Sequence, residues 1–174
     1  MHSLIFDTSA LFNFGHRGQM EALLTEFGRF YRRVTTADVK KELCGPPHGQ
    51  YYEKLMKAHL HIQKAKVVKL SIDELRRLTR VLDPGELSVV ILALDLGSVA
   101  RVVIDEKPAR REAASLGIDV TGTIGLLKEA IDRGWHTDAE CMNVVQLLVE
   151  RKFRVREPSP GETFADYFKS LNQV

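Results

Sequence analysis

An α/β fold with a mainly parallel central sheet is what this sequence predicts, on three observations. Short apolar runs without alternation, Leu4-Ile5-Phe6 and Val102-Val103-Ile104 among them, read as strands buried on both faces. Segments of helical spacing separate these runs, which is the alternation that βαβ units require. The 174 residues, 44% of them hydrophobic and 28% charged, suit one compact unit (1–174, with a core over about 3–152 and an extension over 153–174). A chain of that length buries roughly 70% of its unfolded surface without disulfides or a structural metal.

Ser3-Leu4-Ile5-Phe6 opens the chain as a buried strand that ends at Asp7-Thr8-Ser9. Met20, Leu23, Leu24, Phe27 and Phe30 fall at helical spacing and predict a helix over 18–30. Val34 lies in a short strand, and Thr35-Thr36 supplies the N-cap of a helix through Val39 and Leu43. Gly45-Pro46-Pro47-His48-Gly49 breaks that helix. A helix over about 50–60, a strand at Val67-Val68-Lys69-Leu70 and a helix near 72–80 follow. Asp83-Pro84-Gly85 turns the chain into a strongly apolar helix from Glu86 to Leu96, closed by Gly97.

Arg101-Val102-Val103-Ile104 is a second buried strand, and it too ends on an acid, Asp105. A helix over about 107–116 stops at Gly117, and Ile118-Asp119-Val120 makes a further strand. Thr121-Gly122-Thr123 opens a helix that Gly134 ends, and a last long helix covers roughly 137–152. Phe153, Val155, Phe164, Tyr167 and Phe168 give the extension an apolar side that either packs on the domain or meets a partner.

Composition excludes several classes. The formal charge of +2 does not by itself announce a nucleic-acid binder. Cys44 and Cys141 form neither a disulfide framework nor a metal-finger spacing and read as reduced thiols. Asp7 interrupts the opening apolar residues before a signal peptide could form, and the run Leu87 to Leu94 is far short of a membrane span. The expectation is a soluble, cytoplasmic protein with no membrane partner.

Ligands of open parallel sheets collect beyond the carboxyl ends of the strands, and both buried strands finish there on an aspartate. Each acid has an ordinary reading of its own: Asp7 as a helix cap, Glu42 as a solvated partner of lysine, Glu86 as a first-turn acid favoured by the helix dipole, Asp105-Glu106 as a turn. Their joint placement says more. Carboxylates converging on one sheet edge repel, unit charges at about 4 Å costing ~4 kcal/mol at intermediate dielectric. Protonation or a hard divalent cation resolves the conflict, and oxygen donors without His or Cys select Mg²⁺ or Mn²⁺.

Four segments together resemble the acidic motifs of the PIN-domain nucleases: Leu4-Ile5-Phe6-Asp7-Thr8-Ser9-Ala10-Leu11, Val39-Lys40-Lys41-Glu42-Leu43, Leu82-Asp83-Pro84-Gly85-Glu86 and Val103-Ile104-Asp105-Glu106-Lys107-Pro108-Ala109-Arg110. The order and spacing agree over about residues 3–150. The segment Ala113 to Leu127, with Gly117 to Gly125 at its centre, resembles a branch of that family with a Gly-Thr-Gly-rich strand-to-helix turn. The resemblance implies a three-layer α/β/α fold and a Mg²⁺- or Mn²⁺-dependent endoribonuclease, often a homodimer. Many such relatives are toxins of toxin–antitoxin pairs (VapC-like), which makes an antitoxin protein an expected partner; a housekeeping RNA-processing nuclease and a non-catalytic PIN-like binding or assembly module are the alternatives. Asp7, Glu42, Glu86 and Asp105 map onto the family's catalytic, metal-binding acids. Ser9 falls where a hydroxyl often supports the site, and Glu106 where some relatives carry a second acid. Thr123 has equal readings as support and as a cap. Ser88 departs from the pattern, since relatives often carry an acid there.

RNA would need cations around these acids. Arg110 and Arg111 are the first phosphate candidates, because their helix begins beside Asp105; Arg29, Arg32, Arg33, Lys40, Lys41 and Lys107 also could flank the site, though a solvated helix face explains many of these charges. Arg76, Arg77 and Arg80 fit that plainer reading best. His59 and His61, placed on one helix, point to opposite sides and make no metal pair. Trp135 reads as packing rather than base stacking. Other phosphate chemistries fit less well. Position 9 holds serine where a phosphoaspartate phosphatase needs an acid, and a receiver domain's acidic pair near Asp7 is missing. Neither a Walker-type loop nor a G-x-G-x-x-G fingerprint is present.

Overall fold

The computed structural model describes residues 1–15, 19–45, 47–153 and 155–171, with the backbone alone at 19 and 20. Five parallel strands form one sheet in the order β3-β2-β1-β4-β5: β1 (Ser3–Phe6), β2 (Arg32–Thr35), β3 (His61–Ile62), β4 (Ala100–Val103) and β5 (Asp119–Thr121). The helices are α1 (Thr8–Phe14), α2 (Gln19–Phe30), α3 (Ala37–Leu43), α4 (Gly49–His59), α5 (Ile72–Leu78), α6 (Pro84–Leu96), α7 (Lys107–Ser115), α8 (Thr123–Asp132), α9 (Asp138–Glu150) and α10 (Phe164–Leu171). They cover both faces of the sheet, making the three-layer α/β/α arrangement that a mainly parallel sheet demands.

Strand β1 is central, and Leu4, Ile5 and Phe6 are completely buried, as an unbroken apolar run should be. From β1 the chain steps outward to β2 and β3, then returns to β4 on the other side of β1 and steps to β5. The order of strands therefore reverses between β1 and β4, the place where an open α/β sheet leaves a crevice beyond its carboxyl edge. Phe6 pairs with Val103 in register, which sets Asp7 and Asp105 just beyond the ends of these two neighbours.

Most expected elements are present, with local chemistry that accounts for their limits. Thr36 caps α3 by accepting from Val39 N–H, and Gly97 ends α6 with a φ of +70°. Asp7 does cap a helix, α1, which is not among the expected elements and is buried through Ala10, Leu11 and Phe14. Two expectations need correction. The strand expected at 67–70 is absent: Val67 and Val68 are 55% and 52% exposed, and the edge strand is the two-residue β3 at His61–Ile62. β-branched residues favour a strand only where a pleated, half-buried surface receives them. Consequently His59 and His61 do not share a helix, since α4 ends at His59. The expected start at Gly18, the Met20 side chain and Pro46 lie outside the described residues.

The extension packs on the body. Phe164 and Tyr167 are buried, Phe164 N–H is held by the Asp138 carboxylate at 2.9 Å, and the Tyr167 hydroxyl donates to Arg156 O at 2.7 Å. Trp135 likewise packs, stacked 4.3 Å from Phe30. Among the described residues no helix is long and apolar enough to cross a membrane.

Candidate active site

Asp7 and Asp105 are each placed by a strand and held by a helix beginning. Asp7 is 1% exposed; its two oxygens accept from Ala10 N–H at 2.7 Å and from the Ser9 hydroxyl at 2.8 Å. Asp105 accepts from Thr123 N–H (2.7 Å) and from the Thr123 hydroxyl (2.5 Å), both at the start of α8, and from Asn13 Nδ2 on α1 (2.9 Å). Gly122 permits this approach, because a Cβ there would stand 2.8 Å from Asp105 Oδ1.

The two glutamates gather at the N-terminus of α6. Glu86 forms a capping box with Asp83: Glu86 N–H donates to Asp83 at 2.7 Å and Asp83 N–H to Glu86 Oε2 at 3.1 Å. Glu42, from α3, accepts from Gly85 N–H at 2.8 Å and from the Thr8 hydroxyl. A side chain at position 85 would collide with Glu42, so glycine is needed for this contact. Ser88 donates to Gly85 O at 2.7 Å and stands 2.6 Å from the Thr36 hydroxyl; where relatives of the expected family carry an acid, a hydroxyl here ties α6 to the cap of α3.

Burial dominates the electrostatics. It pushes the Asp7 carboxyl well above its usual range, with help from the charges of Asp105 and Glu86 and against the bonds from Ala10 and Ser9. Asp105 is raised by burial despite the Thr123 and Asn13 donors. Glu86 is raised by burial too, and Asp83, Glu106 and Glu42 add to the effect. Asp7, Glu86 and Asp105 thus come together, whereas Glu42, whose charge reaches Glu86, does not line the cavity over them. Among the described residues no three His, Cys, Asp or Glu side chains already form a group that could hold a metal ion.

A cavity of about 1140 Å³ opens over the acids, lined among others by Asp7, Ser9, Asn13, Glu86, Asp105 and Glu106. Arg110 lines it as well, with Nη1 donating to the carbonyls of Asp105 (2.6 Å) and Ile104 (3.2 Å); this guanidinium fastens the end of β4. Arg111 is exposed and does not line the cavity. Of the other basic residues, Arg29 pairs with Glu26, Arg33 donates to Leu24 O, and Lys40 faces Glu53, so these cations serve the surface or the body. Arg76 and Arg77 pair with Asp73 and Glu112 in the same way.

The donor set fits a hard cation. No His or Cys is found among the described lining residues. Each carboxylate oxygen offers about two lone pairs, and those of Asp7 have each accepted one bond. Sequence reasoning missed Asn13 and the part played by Gly122. Asn13 needed α1 to be recognised, and Asp7-Thr8-Ser9 before Ala10-Leu11 is a helix-start signal that could have shown it.

A protein-family model described as a PIN domain matches residues 3–162. No curated protein matches the chain.

Proposed function

The chain belongs to the PIN-domain family, whose members are generally nucleases, and on that premise we propose that it is a Mg²⁺- or Mn²⁺-dependent endoribonuclease hydrolysing RNA phosphodiester bonds. The observation that carries the reading is the pair of carboxyls at the ends of the two strands where the sheet order reverses, Asp7 buried and Asp105 part-buried, both lining one cavity. Asp7 and Asp105 would hold the cation and Glu86 would complete its oxygen ligands. When bound, the cation supplies a polarised phosphoryl oxygen and a water of lowered pKa. Ser9, Asn13 and Thr123 orient the two aspartates through the hydrogen bonds they donate. Glu42 does not line the cavity; accepting from Gly85 N–H and Thr8, it orients the α1 and α6 beginnings. Glu106 stands exposed on the cavity wall as a further acid toward solvent.

The same reading makes residues 1–174 one domain, cytoplasmic and homodimeric, acting as the toxin of a toxin–antitoxin pair; the motif resemblance supports it. Mixed-sequence single-stranded RNA should be cleaved with Mn²⁺ or Mg²⁺, and cleavage should vanish with EDTA and with Asp7→Asn. Expression should arrest growth until a small neighbouring protein is co-expressed; cleavage without arrest would assign RNA processing instead. Intact RNA together with no Mn²⁺ uptake in a titration refutes the metal-dependent nuclease.

A further inference from the structure

Helices α7, α8 and α9 end alike. In each, a left-handed residue follows the cap, its N–H donates to the carbonyl three residues back, and the next N–H reaches the carbonyl five residues back. Gly117 donates to Ala114 O and Ile118 to Ala113 O; Gly134 to Ile131 O and Trp135 to Ala130 O; Lys152 to Val149 O and Phe153 to Leu148 O. An apolar residue completes each motif: Ile118, Trp135, Phe153. Two of the three place glycine at the left-handed position, with φ of +75° and +69°, where no Cβ suffers. The third places Lys152 there at φ +61°, the one non-glycine with positive φ among the described residues.

The helix end does not call for this lysine. A Cβ in the left-handed region crowds the following carbonyl, and lysine lacks the short polar side chain that lets asparagine bond locally. The helix dipole favours a basic residue near a C-terminus, but Arg151, the cap itself, supplies one at an unstrained φ of −91°. Lys152 instead lines the acid cavity, on the same wall as Arg151. Among the described residues its ammonium has no ion-pair or hydrogen-bond partner.

We propose that Lys152 is a phosphate-contacting residue of the acid cavity, retained at a left-handed backbone position because its charge is needed there. This rests on the nuclease reading of the cavity. It makes the C-terminal end of α9, remote in sequence from all four acids, part of the substrate site.

The test compares three full-length proteins that all carry Asp7→Asn so that RNA survives: the parent, Lys152→Gly and Lys152→Arg. Anisotropy of a labelled single-stranded RNA over a range of salt gives Kd and its salt slope, and melting gives stability. Lys152→Gly should melt at the same or a higher temperature yet bind several-fold more weakly, losing about 0.7 from the slope of log K against log salt. Lys152→Arg should keep the slope. If the parent binds and Lys152→Gly leaves Kd and slope unchanged, whatever its melting temperature, the lysine is structural and the proposal falls alone. If the parent does not bind RNA, the three proteins are compared with Asp7 intact and Ca²⁺ in place of Mg²⁺; no binding there either means that the nuclease reading fails and the proposal with it.

Discussion

Replacing Asp7 by asparagine should stabilise the metal-free protein while abolishing its chemistry. Asparagine is as good an N-cap as aspartate, so Ala10 N–H keeps its acceptor. The Ser9 hydroxyl, now a donor, can accept from the new amide instead. What disappears is a charge that burial, Asp105 and Glu86 all disfavour and that the two hydrogen bonds fail to offset, since the net displacement of the carboxyl is upward. Each 1 kcal/mol gained raises the melting temperature of a chain this size by about 2–4 °C.

The pH dependence has a definite sign. Asp7, Asp105 and Glu86 hold protons more tightly folded than unfolded, so their contribution is complete below the ordinary carboxylate range and lost as pH rises through their raised values. Melting followed by circular dichroism in EDTA, from about pH 4 to pH 8, should show wild type losing stability as pH climbs from the usual carboxylate pKa near 4. Asp7→Asn should show a flatter profile and a higher melting temperature at pH 7.5. A variant that melts lower than wild type there, or that keeps the wild-type slope, refutes the reasoning.

Two further substitutions probe the support of Asp105. Asn13→Ala removes a buried donor and should cost about 1–2 kcal/mol in urea denaturation, while weakening Mn²⁺ uptake by calorimetry because Asp105 loses a bond that favours its ionised form. Gly122→Ala should also destabilise, by about 1–3 kcal/mol on the same assay: the backbone there is extended and would tolerate alanine, but the added Cβ meets Asp105 Oδ1 at 2.8 Å.

The strands flanking the candidate site were legible because parallel strands buried on both faces leave continuous apolar runs, and Leu4-Ile5-Phe6 and Val102-Val103 occupy the centre of the sheet. Asp7 and Asp105 were legible for the same reason, as the polar residues that close those runs. Glu86 was legible as a first-turn acid, but Asp83-Pro84-Gly85 is no turn before the helix: Asp83 caps α6 and Pro84 is its first residue. β3 was not legible, because two residues paired at a sheet edge carry no period. α10 escaped notice because Phe164 and Tyr167 declare a buried face without saying what covers it; Asp138, 26 residues earlier, supplies the bond to its first N–H. Asn13 bonds across 92 residues, and the demand for glycine at 122 arises only when Asp105 is folded against it.

The hydrogen bonds that reach Asp7 and Asp105 offset their burial only in part. Three helix beginnings direct N–H groups at three carboxylates: Ala10 at Asp7, Gly85 at Glu42 and Thr123 at Asp105. Such ends carry partial positive charge and are the cheapest means a fold has of holding a buried anion. They do not suffice at Asp7 or Asp105, where burial still wins over every donor. Arg110 does not close the gap either: its effect on Asp105 is weaker than that of the three hydrogen bonds, and its Nη1 is bonded to backbone carbonyls. Oxygen donors only partly occupied, beside a cavity open to solvent, are what the proposed hard cation would meet.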